Sequence, residues 1–206
     1  MKNHTLQQRV EFYAAEFPKW PAPRLAGRWL EGIWIMGNDY RSRSTLYGAY
    51  PPNYLRRVQS MFPDADNILH LFSGSLPKWD GNGTPYTTFD IQTDPAVSIE
   101  PDIQGDAHRL SDHFNEGDFD LILADPPYSA EDAEHYGTCM VKRNTVLKEC
   151  VKILRPGGYI VWLDQVMPMF RKKEIEWCGL IGMCRSTNHR FRMSVVFYKG
   201  RPWKDD

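Results

Sequence analysis

The stretch LILADPPYS, residues 121–129, runs from apolar residues into an acid, two prolines and a tyrosine. Extended backwards to FDLILAD (119–125), it is the clearest strand pattern in the chain, short, continuously apolar and closed by turn residues. Proline ends a strand because it lacks an N–H and fixes its own φ. The simplest reading of Asp125, Pro126, Pro127 and Tyr128 is therefore a strand terminator with a surface tyrosine. A chemical reading stands beside it. The exocyclic amine of a nucleobase is a poor nucleophile, since its lone pair is delocalised into the ring. Two acceptors on its hydrogens draw it toward a reactive, tetrahedral form. The Asp125 carboxylate and the Pro126 carbonyl supply two acceptors, held rigid because proline also restricts the residue before it. Tyr128 supplies a plate on which a splayed-out base can stack.

Outward from this stretch the chain alternates strands and helices. NILHLF (67–72), YTTFDIQ (86–92) and DIQGDA (102–107) read as strands before it. After it, TCMVKRNTVLKECVKIL (138–154) carries an apolar stripe at helical spacing and is closed by RPGG. YIVWLDQV (159–166) reads as a strand and MPMFRKKEIEW (167–177) as a short helix. CGLIGMCRST (178–187) and RFRMSVVFYKG (191–200) read as a closing strand pair. Upstream, residues 4–17 and 53–62 fit short helices, and the Pro-, Gly- and Trp-rich segment between them reads as irregular. The expected architecture is α/β with a mostly parallel sheet, closed by an antiparallel C-terminal hairpin strand. Its crossover helices are reduced, because SLPKWDGNGTPY and TDPAVSIEP are short and rich in turn residues. Two regions are expected: an N-terminal extension over 1–50 and the α/β domain over 51–206.

In such sheets ligands lie beyond the carboxyl ends of the strands. The residues there are Phe72, Ser73 and Gly74 after the first strand, Asp90 on the second, Asp106 after the third, and the Asp125 group after the fourth. Small residues allow backbone to approach a ligand closely. Asp90 suits ribose hydroxyls, with a solvated strand-end acid as the plain reading and Asp94 as a competitor. Asp106 suits an adenine amine or is a turn residue.

Taken in order, this set resembles the class I S-adenosylmethionine-dependent methyltransferases. D-P-P-Y resembles the catalytic motif of their amino-methylating branch, above all the DNA adenine methyltransferases. LHLFSGS is similar to the family's methionine-binding loop, though it lacks the second glycine. LRPGG before YIVWL is also similar to the family, and the likeness extends over about residues 50–200. It implies a Rossmann-like methyltransferase sheet, S-adenosylmethionine as cofactor, and transfer to the adenine amine in DNA. It further makes Tyr50 and Asn53, in YGAYPPNYLRRV (47–58), candidates for contact with the methionine part of the cofactor; a helix N-terminus with turn residues is the equal alternative. YGAYPPNY and RSTNHRFR look like stand-alone DNA methylases of phage or mobile-element type. RNA base methylation, protein glutamine methylation and a non-catalytic nucleic-acid or protein binding module are the rivals.

The net charge of −1 conceals an asymmetry. Residues 90–134 hold thirteen acids against Arg109 alone, whereas 171–204 hold nine Lys or Arg against Glu174 and Glu176. A polyanion is repelled by the first segment and attracted to the second. Arg185, Asn188, Arg190 and Arg192, in RSTNHRFR (185–192), are the candidates for nucleic-acid contact, with a polar hairpin as the plain reading. The four cysteines form no Cys-x-x-Cys pair, and the histidines show no metal spacing. No metal, no membrane span and no secretory signal are expected, which places the chain in the cytoplasm.

Overall fold

The structure is a computed structural model describing residues 4–37, 50–51, 53–74, 76, 84–91, 99–185 and 191–200, the side chains of His135 and Arg185 excepted. Among the described residues nine strands form one sheet, in the order β1-β2-β8-β9-β7-β6-β3-β4-β5. These are β1 (Arg24–Ala26), β2 (Trp29–Met36), β3 (Ile68–Leu71), β4 (Tyr86–Asp90), β5 (Ile103–Gln104), β6 (Phe119–Ala124), β7 (Leu154–Asp164), β8 (Glu176–Arg185) and β9 (Phe191–Lys199). Strands β5, β4, β3, β6 and β7 are mutually parallel. The last strand, β9, inserts antiparallel between β7 and β8. The expected mostly parallel α/β sheet with an antiparallel C-terminal strand is thus present. Chain order reverses direction at β3, which lies between β4 and β6. In open α/β sheets ligands lie beyond the carboxyl ends of the strands at such a switch point.

Helices cover both faces. On one, α1 (Leu6–Glu16) and α2 (Tyr54–Ser60) bury Tyr13, Tyr54 and Val58 against Leu121, Leu123, Tyr159, Val161 and Met183. Helix α1 starts with a capping box between Thr5 and Gln8, which satisfies two otherwise orphaned groups. On the other face α4 (Arg143–Ile153) packs Val146, Leu147, Cys150 and Ile153 against Ile122, Ile160, Trp162 and Val195. Glu149 turns from α4 to a 3₁₀ helix (Ala107–Asp112), accepting from Ser111 N at 3.0 Å and Ser111 Oγ at 2.7 Å. Lys199 Nζ closes the far end of α4 by donating to the carbonyls of Val151 and Leu154 at 2.7 and 2.6 Å.

Several elements depart from the sequence pattern. The segment read as irregular before residue 38 folds into the β1–β2 hairpin, and β2 runs parallel to β8 with Leu30 opposite Gly179. Its alternation is visible only once paired: Leu30, Trp34 and Met36 are buried while Ile33 and Ile35 are exposed. RPGG lies inside β7 instead of before it, where a register shift between Phe119 and Leu121 accommodates it. Residues 167–175 form no helix, only a turn over 172–174, and Ile175 is buried in the core. The helix expected over 138–154 starts only at Arg143, and a short α3 (Ala130–His135) precedes it. The connection between β5 and β6 carries the 3₁₀ helix. The two crossovers expected to be reduced, over 75–86 and 93–101, fall largely outside the described residues.

Candidate active site

Asp125, Pro126, Pro127 and Tyr128 follow β6 directly, at the switch point of the sheet. The Tyr128 hydroxyl donates to Asp125 Oδ1. Burial pushes the Asp125 carboxyl up to about 7, Asp164 adding to the rise while Tyr128 and Arg192 oppose it. Near neutrality this acid therefore exchanges its proton readily. Among the described residues nothing donates to the Pro126 carbonyl. The guanidinium of Arg192 lies 4.6 Å from the centre of the Tyr128 ring, a cation–π contact on one face. Arg192 belongs to β9 and was read as a backbone-contact residue of the hairpin; here it forms the floor beneath Tyr128. Arg190 and Asn188 lie outside the described residues, as does the side chain of Arg185.

The loop after β3 takes an unusual course. Phe72 has φ of 60°, a left-handed conformation that a phenylalanine rarely adopts, and Gly74 follows with φ of 50°. This reversal aims Ser73 inward: it is buried, and its Oγ has no partner among the described residues. Gly74 N donates to Asp90 Oδ2 at 2.8 Å, which ties the loop to the end of β4. Asp94 lies outside the described residues.

Tyr50 stacks on Tyr54, with ring centres 5.4 Å apart, and meets His70 edge-on at 6.2 Å. Its hydroxyl is buried without a partner among the described residues. Burial raises its pKa well, and the charges of Asp125 and Asp90 raise it further. One phenol thus feels both the strand-end acid of β6 and that of β4. Tyr54 Oη and Ser194 Oγ hydrogen-bond at 2.5 Å behind it. His70 is fully buried between Tyr50 and Tyr86, and burial drops its pKa to about 3, so it is neutral.

Asn53, also considered for cofactor contact, is exposed and begins α2 with φ of 63° without a side-chain cap. Its visible role is the turn. Asp106 caps the 3₁₀ helix, its Oδ1 accepting from His108 N at 2.9 Å and His108 Nδ1 at 2.6 Å. Burial would raise this acid, but the His108 bonds outweigh that and hold it below the usual range. Its Oδ2 accepts nothing from the described residues.

Three residues that the sequence did not single out complete the site. Asp164 ends β7, beside β6, and is fully buried. It pairs with Arg143 at the start of α4, and Arg143 also donates to the Tyr128 carbonyl at 3.0 Å. Trp162 donates to Asp164 from the strand itself. The signal for Asp164 was available in YIVWLD, an acid at a strand end of the same kind as Asp90.

No family model and no curated protein matches the chain. Solved structures of similar shape include TrmN from Thermus thermophilus, with 19% identity, a TM-score of 0.46, and coverage of 65% of this chain and 43% of that one. CurJ carbon methyltransferase gives 12% identity and a TM-score of 0.44 over 70% of this chain and 52% of its own. A SAM-dependent methyltransferase from Methanosarcina mazei gives 15% and 0.41, covering 65% and 92%. The chain spans less than two thirds of the first two. Among the described residues no helix is long and apolar enough to cross a membrane, and no group of three or more His, Cys, Asp or Glu could hold a metal ion.

Proposed function

We propose that this chain transfers a methyl group from S-adenosylmethionine to the exocyclic amine of adenine in DNA. The observation that carries this reading is the pairing of β3 with β6, Leu71 opposite Ala124, from which the Phe72–Gly74 loop and the D-P-P-Y stretch leave the sheet side by side. Gly74 N, donating to Asp90 Oδ2 at 2.8 Å, brings the end of β4 to the same place.

The residues present suit the cofactor. Ser73 Oγ and Tyr50 Oη are buried polar atoms without partners among the described residues, and such atoms call for a ligand or water. A carboxylate offers about four acceptor positions, so the bond from Gly74 does not bar Asp90 from ribose hydroxyls. Asp106 Oδ2 suits an adenine amine. When bound, the cofactor supplies an electrophilic methyl carbon on a sulfonium sulfur. The protein's part is then to orient the amine. Asp125 accepts one of its hydrogens, displacing the Tyr128 hydroxyl, and the Pro126 carbonyl accepts the other. Tyr128, with Arg192 behind one face, offers the opposite face to the base. A carboxyl with a pKa of about 7 is also suited to take the proton that the amine releases.

The test is methyl transfer from radiolabelled S-adenosylmethionine to adenine-containing DNA and to RNA of the same sequence, followed by nucleoside analysis. Label on the adenine amine of DNA, lost in Asp125→Ala with cofactor binding retained, is the expected result. Label in RNA alone transfers the reading to an RNA base methyltransferase. Neither label nor cofactor binding refutes it in favour of a non-catalytic module.

A further inference from the structure

We propose that the ion pair of Arg143 and Asp164 is the positioning device of the D-P-P-Y loop. The inference rests on the function proposed above and assigns two residues to that site. Asp164 is the last residue of β7 and has no exposed surface. Five donors converge on its two oxygens. Trp162 Nε1 donates to Oδ2 at 3.1 Å, and Gln165 N and Val166 N donate to Oδ1 at 2.7 and 3.2 Å. Arg143 donates through Nε to Oδ2 at 2.6 Å and through Nη2 to Oδ1 at 3.1 Å. Strand and following turn fix the carboxylate, so the carboxylate fixes the guanidinium. Arg143 Nη2 then reaches the Tyr128 carbonyl at 3.0 Å. The position of the loop is thereby copied from the neighbouring strand.

Stability alone is a poor reason for such a pair. A buried ion pair often breaks even with, or loses to, well-packed apolar residues of the same volume. An apolar pair could not hold a carbonyl oxygen, and a lysine, whose ammonium is a compact point charge and not a planar fork, would not grip the carboxylate bidentately while reaching the carbonyl. What the pair uniquely supplies is a defined place for Tyr128. That place sets the Tyr128 hydroxyl on Asp125 and the Tyr128 ring on Arg192. Ser129, the next residue, is fixed separately as the cap of α3, accepting from Asp132 N at 3.1 Å. The Tyr128 peptide is thus the junction at which Arg143 acts.

The test uses Arg143→Gln, Arg143→Lys and Asp164→Asn in the full chain, with two readouts. The first is kinetic. Arg143→Gln is expected to lower kcat about 100-fold with cofactor affinity unchanged, the size of effect that a displacement of about 1 Å produces, and Arg143→Lys to restore little of it. In Asp164→Asn the midpoint of the pH–rate profile falls, since the Asp164 charge adds to burial in holding the Asp125 carboxyl up, against Tyr128 and Arg192. Arg143→Gln keeps that charge and shows no such fall. The second readout is fluorine NMR of 3-fluorotyrosine placed at position 128 alone, without substrate. A single narrow line in the parent and a broadened or doubled line in Arg143→Gln support the device. Parent-like kcat with an unmoved line overturns it, as does an activity loss that merely follows lost stability while the line stays narrow. If the parent transfers no methyl group at all, the proposed function fails, and the fluorine line still decides whether Arg143 holds Tyr128.

Discussion

Replacing Asp125 by asparagine separates what the site does for chemistry from what it costs the fold. The carboxyl rises from 3.8 to about 7 in the folded chain, with burial the largest cause. Between these values the folded state keeps a proton that the unfolded state has released. Stability contributed by this proton is fully present below pH 3.8 and is lost as pH rises through about 7. At ~1.36 kcal/mol per unit, a rise of about three units costs the folded state up to ~4 kcal/mol above neutrality. Asparagine keeps the shape, still accepts from the Tyr128 hydroxyl and carries no charge. Asp125→Asn is therefore expected to be the more stable protein at pH 8 by up to ~4 kcal/mol, on the order of 10 °C in Tm for a chain of this length. The two proteins approach each other as pH falls toward 4. Urea unfolding of both from pH 4 to 9 gives the difference curve directly. A flat difference across that range would refute the reasoning, because it would mean that Asp125 ionises as it does in the unfolded chain. The same residue makes methyl transfer in the parent rise with pH around 7, since only the ionised carboxyl can accept both the amine hydrogen and its proton. In Asp125→Asn transfer is lost at every pH.

Two further outcomes follow from neighbouring contacts. The charge of Arg192 lowers the Asp125 carboxyl, so Arg192→Ala moves the pH–rate midpoint upward whereas Arg192→Lys leaves it nearly in place; an unmoved midpoint in the alanine variant would remove Arg192 from the site. A Cβ on Gly179 would stand 2.6 Å from the Leu30 carbonyl oxygen and 2.4 Å from Leu30 Cβ, so Gly179→Ala forces β2 away from β8. Its cost is expected at about 1–3 kcal/mol in urea unfolding, with altered fluorescence from the contact of Trp29 and Trp177, whose ring centres lie 4.6 Å apart; parent-like stability would contradict the close approach.

What the sequence made legible was what depends on neighbours along the chain. β6 is buried on both faces, so it reads as one unbroken apolar run, and the prolines mark where it stops. The acids at strand ends could be located for the same reason. What depends on distant partners stayed hidden. In β2, Gly32 and the tryptophans look irregular, and only β8 makes a strand of them. Arg192 looked like one basic residue of a polar hairpin; the antiparallel insertion of β9 carries it beneath Tyr128. Arg143 and Asp164 are 21 positions apart, and nothing local marks an arginine at a helix start as the partner of a strand-end acid. Residues 167–175 carry apolar spacing compatible with a helix, yet Ile175 packs into the core and leads into β8, and only a turn over 172–174 forms.

The place of β9 governs how the molecule can assemble. It comes last among the described strands, yet it joins β7 to β8, and through β8 to β2 and β1. Strand β2 is made early, and among the described residues its sheet partners are β1 and β8, with Leu30 opposite Gly179. Contacts so far apart in sequence close slowly. During synthesis the edge of β2 that pairs with β8 therefore stays open until β8 has been made, although Tyr13 of α1 can already stack on Trp34. β9 thus acts as a keystone, and damage to it would unseat the flanking strands while leaving the parallel half of the sheet its own partners.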